Sequence, residues 1–145
     1  MATYQSNIII GQELGAAKWG QSPICMVGSI VLPANTLLGV NDIVQLCVIP
    51  AHTMLVGFLM SVPDLDTGTT LEFSVEDDLA PTVYVAGRGE GQAGGVLTDA
   101  LFTTAGVQYA TQQILQLLIT AAATGAPNVA RTINFGATFG LNYLT

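Results

Sequence analysis

In the segment "RTINFGATFGLNYLT", residues 131–145, apolar and polar positions alternate. Ile133, Phe135, Ala137, Phe139, Leu141 and Tyr143 are apolar, while Thr132, Asn134, Gly136, Thr138, Gly140 and Asn142 are small or polar. Successive side chains of a strand point to opposite faces, so period two predicts a half-buried strand. The glycines leave its outer face open to approach, for example by a neighbouring chain. "TLEFSVED" follows the same rule, with Leu71, Phe73 and Val75 on one face and Thr70, Glu72 and Ser74 on the other. "IVQLCVIP" and "TMLVGFLMSV" are more uniformly apolar, the pattern expected of central strands covered on both sides. "CMVGSIVLPAN" and "TVYVAG" complete the set. Turn signals fall between these runs, at Pro33-Ala34-Asn35, Gly39 to Asp42, Pro50 to Thr53, Asp64 to Gly68 and Asp77 to Pro81. Short strands at this spacing predict an all-β sandwich or barrel.

Two regions depart from the pattern. Residues 105–124 contain a helix stripe through Val107, Ala110, Ile114, Leu117, Leu118 and Ala121. The core of that segment, "ILQLLIT", reads equally as a strand, since short apolar runs are not assigned by period alone. The β character of the rest favours strand. Residues 1–23 hold "NIII", Gly11, Gly15, Gly20 and the lone Trp19 without clear periodicity. They predict an N-terminal arm or edge segment ahead of a sandwich domain spanning residues 24–145.

Composition changes the picture in one respect. Half of the 145 residues are apolar and 9% are charged, against about 25% charged in an ordinary soluble domain. The excess apolar content predicts surface buried against other subunits. Ten acids against Lys18, Arg88 and Arg131 leave a net charge of −7. Nucleic acid needs clusters of Lys and Arg to neutralise phosphate, so it is excluded as a direct partner. Anionic membrane surfaces are disfavoured for the same reason. Residues 44–62 form an almost uncharged run of nineteen residues, but Pro50, Ala51, His52 and Thr53 interrupt it, so two strands and a turn fit better than a membrane span. Cys25 and Cys47 both lie in apolar runs and predict buried free thiols. The start "MATYQSNIII" has no basic n-region, which predicts synthesis in a cytoplasm without a signal peptide.

The chemical motifs carry little. "GEGQAG", residues 89–94, matches G-x-G-x-x-G, yet no βαβ alternation surrounds it and no acid follows Asp99, so a flexible exposed loop is predicted and no cofactor. The single histidine, His52, sits in a turn without a convergent nucleophile and acid, so no catalytic residue is assigned and no enzyme is expected. Asp64 and Asp66 sit two apart, as calcium ligands can. Counted from Asp64, however, position 6 is Thr69 and position 12 is Val75, where an EF-hand needs Gly and Glu. A looser calcium site at Asp64 and Asp66 is the one metal option left open. Asp and Gly are also what a tight turn prefers, and that reading leads.

Two stretches carry a family resemblance. "NDIVQLCVIPAHTMLVGFLMSVPDLDTGTTLEFSVEDD" and "TGAPNVARTINFGATFGLNYL" resemble small capsid decoration (cement) proteins of tailed bacteriophages, over roughly residues 22–144. Asp66 stands where that pattern has glycine. The resemblance implies an all-β, jelly-roll-like antiparallel β-sandwich that assembles, commonly as a trimer, on the outside of an icosahedral head. There it would bind the major capsid protein and stabilise contacts between capsid subunits. Tyr4, Ile8, Ile9, Ile10 and Trp19 are the candidate subunit or capsid contacts. A carbohydrate- or receptor-binding sandwich module of a fibre or head appendage is the alternative, and it would need an exposed aromatic platform.

Overall fold

The computed structural model describes residues 1–7, 24–79, 82–105 and 107–141. Among the described residues nine strands are formed: β1 (Thr3–Gln5), β2 (Ile24–Leu32), β3 (Ile43–Ile49), β4 (Thr53–Val62), β5 (Glu72–Asp77), β6 (Val83–Arg88), β7 (Gly95–Thr98), β8 (Gln113–Ala121) and β9 (Arg131–Leu141). The helix-or-strand ambiguity resolves as strand β8, in which Leu115, Leu117 and Ile119 are buried. The helical elements that lie wholly among the described residues are two single 3-10 turns, Glu90–Gln92 and Asp99–Leu101.

The strands make a five-stranded sheet, β1-β3-β8-β5-β6, and a four-stranded sheet, β2-β9-β4-β7. The last eight strands pair as nested hairpins: β2 with β9, β3 with β8, β4 with β7 and β5 with β6, all antiparallel. Successive pairs alternate between the sheets, as when one long hairpin is rolled upon itself. This is the jelly-roll arrangement. Its core lies between the sheets, with Leu46, Phe73, Val75 and Leu115 facing Met60, Leu97, Ile133 and Phe139. Each such side chain contributes about 1.5–3 kcal/mol on burial.

Both open sides of the sandwich are closed. On one side β1 pairs in parallel with β3, through Thr3–Ile43, Tyr4–Val44 and Gln5–Gln45. The chain then crosses to the other sheet, where the Ser29 N–H donates to Asn7 Oδ1 at 2.9 Å. Residues 3–5 thus form an edge strand, while the predicted arm contacts at residues 8–10 and 19 lie outside the described residues. On the other side Phe102 packs between Phe58 of β4 and Tyr84 of β6, with ring centroids 5.4 and 5.7 Å away.

The turns sit where proline, glycine and asparagine announced them. Asn35, Asn41 and His52 all adopt left-handed backbone, with φ of 62°, 69° and 60°. Asparagine tolerates this region better than most residues. Two expectations fail. The glycine-rich loop at 89–94 is not simply exposed: Gly91 is buried, its carbonyl accepts the Leu65 N–H at 2.8 Å, and Gln92 Nε2 donates to the Leu71 carbonyl at 3.0 Å. β4 is also not covered on both sides, because Val56 and Leu59 are 50% and 55% exposed.

Candidate interaction surface

The acidic segment resolves first. Asp66 is 1% exposed and its carboxylate is filled by backbone donors. Oδ1 accepts the N–H groups of Gly68, Thr124 and Gly125 at 2.9, 2.9 and 3.1 Å. Oδ2 accepts those of Thr70 and Leu71, both at 3.0 Å. One side chain therefore ties the turn before β5 to the turn after β8, 58 residues away. Burial by itself would raise the pKa of this carboxyl, but the N–H groups of Thr70, Gly68, Gly125 and Leu71 outweigh it and hold the acid well below its usual range. A lining of five N–H dipoles is built for the negative charge already there and opposes a cation. Asp64 uses Oδ1 to accept the Asp66 N–H at 3.2 Å, as in an Asx turn. Among the described residues no three His, Cys, Asp or Glu side chains come together in a group able to hold a metal.

Three other acids repeat the device. Asp42 accepts the N–H of Ala2 at 2.6 Å and of Gly39 at 2.8 Å, which anchors β1. Burial works against its charge, yet these two donors and the nearby N-terminal ammonium lower its pKa. Asp77 accepts the Thr82 N–H and the Tyr84 hydroxyl, and Asp78 accepts the Ile114 N–H at 2.7 Å. Burial, then the charge of Asp77, pushes the Tyr84 phenol up. The carboxylates that looked like chemistry in the sequence act as staples between loops.

The remaining candidates scatter. His52 is exposed in the β3–β4 turn, where its N–H donates to the Tyr109 carbonyl. Tyr4 is half-buried against the core of its own chain. Cys47 is buried, which pushes its thiol pKa up to about 12. Cys25 is free and exposed, contrary to the expectation for a cysteine in an apolar run. The strand parity of β2 turns it outward, beside Val27. Among the described residues every Phe and Tyr is at least partly buried, so these residues supply no exposed aromatic platform for a sugar.

What the described residues do present is one sheet face. The four strands of the β2-β9-β4-β7 sheet contain a single charged residue, Arg131, at the first position of β9. Its parity places it with the inward row of Ile133 and Phe135. The outward positions are uncharged, and Val27, Val31, Val56, Leu59 and Val96 on them are exposed by half or more. Val27 reaches 74%. Register places Val27 of β2 opposite Gly136 of β9, and Gly136 opposite Leu59 of β4. The missing side chain at Gly136 opens a shallow trough of about 340 Å³, walled by Val27, Leu59 and Val96. Sequence alternation in β9 announced the small outer residues, but not the apolar ridges on either side of them. Clustered exposed apolar residues of this kind mark interaction sites in soluble proteins.

The other sheet has a different outer face. Gln45 pairs with Gln5 and Gln116, and Gln116 with Glu76, so these four side chains form a row across four strands. Gln5 Nε2 donates to Gln45 Oε1 at 2.7 Å, and Gln116 Nε2 to Glu76 Oε1 at 3.2 Å. Among the described residues the two sheets therefore differ, with Glu72, Glu76 and Asp77 on β5 of one and uncharged outward positions on the strands of the other.

No protein-family model matches the sequence, and no curated protein matches it either. Two solved structures share the fold. A chain of "Capsid of Ralstonia phage GP4" superposes with a TM-score of 0.70 at 22% identity, over 97% of this chain and 99% of that one. A chain of "Cyanophage Pam1 capsid asymmetric unit" gives a TM-score of 0.61 at 21% identity, over 86% and 88%. This chain thus has the fold of chains found in two bacteriophage capsid structures, along nearly all of its length.

Proposed function

We propose that this chain is a structural protein of a phage virion. It binds the outer surface of an icosahedral capsid and stabilises contacts between neighbouring major capsid subunits. It does so as a homo-oligomer, for which the family resemblance implies three copies. The observation that carries the reading is the shared fold with a capsid chain over 97% and 99% of the two lengths. The uncharged, apolar-ridged sheet face supports it, because an exposed apolar surface without charged side chains suits association with other protein chains. Tyr4 and the segment holding Ile8, Ile9, Ile10 and Trp19 extend the contacts along the shell.

A protein that prefers the assembled shell stabilises it by mass action, by about 2.7 kcal/mol per site at a free concentration one hundred times Kd. Engagement of several capsid sites by one oligomer strengthens this further. The test is co-sedimentation of purified protein with capsids that lack it, followed by thermal disruption of the decorated particles. Saturable binding and a raised disruption temperature are expected. Protein that stays in the supernatant at every concentration overturns the proposal.

A further inference from the structure

We infer that the outer face of the β2-β9-β4-β7 sheet is where copies of this chain meet. Three observations select a second copy as its occupant. The first is charge. The chain carries −7, and two copies approaching through most surfaces would bring acids together. Among the described residues this face gathers four strands whose outward positions hold no charge, so self-association there avoids the repulsion that opposes it at acidic surfaces.

The second is area. Four strands about 4.8 Å apart and nine residues of about 3.3 Å each give a face of roughly 19 by 30 Å. Two such faces bury on the order of 1,100 Å² together, just above the roughly 1,000 Å² that a specific interface needs. The third is shape. Val27 and Val31 on β2, and Val56 and Leu59 on β4, form ridges on either side of β9, whose outward residues are small. Ridge and valley lie about one strand spacing apart, so a ridge of one copy fits the valley of another, where Gly136 has left room. Stacked sheets interdigitate in this way.

The face carries its own reporter. Cys25 is exposed on β2 beside Val27, whereas Cys47 is buried with its thiol pushed up to about 12 and stays silent. The experiment needs only the purified chain, so its outcome is independent of capsid binding. Mass is measured by light scattering after gel filtration, and Cys25 labelling by a maleimide is followed over a dilution series. The wild type is expected to be an oligomer in which Cys25 labels slowly, and faster on dilution.

Leu59→Glu places a charge at the centre of the face and is expected to weaken self-association at least about a hundredfold. It should yield a monomer with fast Cys25 labelling. Its circular dichroism should match the wild type, because Leu59 is exposed. Leu79→Glu adds the same charge at an exposed leucine outside this face and is expected to leave mass and labelling unchanged. A wild-type monomer with fast-labelling Cys25 at all concentrations overturns the inference. So does an oligomer that survives Leu59→Glu with Cys25 open. A monomer whose capsid binding is abolished by Leu59→Glu also overturns it, and assigns the face to the capsid instead.

Discussion

Asp66 ties together the turns at the adjoining ends of the paired strands β5 and β8, and replacing it by asparagine isolates that role. The amide keeps one oxygen but turns an NH2 group toward N–H donors that the carboxylate accepted. In the less damaging orientation the oxygen serves Gly68, Thr124 and Gly125, leaving the N–H groups of Thr70 and Leu71 facing another donor. An unsatisfied buried donor costs about 1–3 kcal/mol. Leu71 is fully buried, while Thr70 lies nearer to water, so the pair together costs about 3 kcal/mol. That is a large share of the roughly 5–15 kcal/mol that holds a domain folded, and it lowers Tm by about 6–12 °C.

The pH dependence gives a second, independent signature. The folded-state pKa of Asp66 lies below its unfolded value, which is about 3.9. The stabilisation is therefore complete above that value and is lost as pH falls toward the folded pKa. The variant lacks this titration, so the difference between wild type and Asp66→Asn is constant from pH 7 to 5. Below about pH 4 it shrinks by up to about 1.4 kcal/mol per unit. Urea titrations of both proteins at pH 7, 5, 4 and 3 measure it. A difference under about 0.5 kcal/mol at pH 7, or one that does not shrink in acid, would refute the assignment of Asp66 as a buried anionic staple.

Three further outcomes are expected. Asp42→Asn removes an acceptor from the Ala2 or the Gly39 N–H and should cost about 1–2 kcal/mol, with faster amide exchange at residues 3–6 than elsewhere. In Gly91→Ala the new Cβ would lie 2.7 Å from Leu71 Cδ2, and Leu71 is fully buried. A loss of about 1–3 kcal/mol in thermal or urea unfolding is expected, and a neutral result would show that the 89–94 loop is not packed as described. Ellman's reagent at pH 8 should find no more than one reactive thiol per folded chain and two after unfolding in urea, since burial keeps Cys47 protonated and inaccessible. A second thiol reacting in the folded state would contradict that placement.

What the sequence could determine was local and periodic. Alternation in residues 131–143 marks β9 because the pleat itself has period two, and the same rule orients Phe73 and Val75 inward in β5. Proline, glycine and asparagine mark the turns because backbone φ is a property of single residues. The all-β class follows from the same positions. The tertiary structure decided everything that depends on distant parts of the chain. Periodicity does not say that β2 lies beside β9 or β4 beside β7, since such pairings join residues about 35 to 115 positions apart.

Cys25 and Cys47 sit in similar apolar runs, and only the folded structure shows that β2 turns Cys25 outward while β3 turns Cys47 into the core. "TMLVGFLMSV" looked buried on both faces, and only the sandwich shows that Leu59 and Val56 are about half exposed. At Asp66 the sequence favoured a tight turn and left a looser calcium site open, with Thr124 and Gly125 merely far away along the chain. Folding brought their N–H groups to its carboxylate, and an acid already satisfied by five backbone donors is a structural anion.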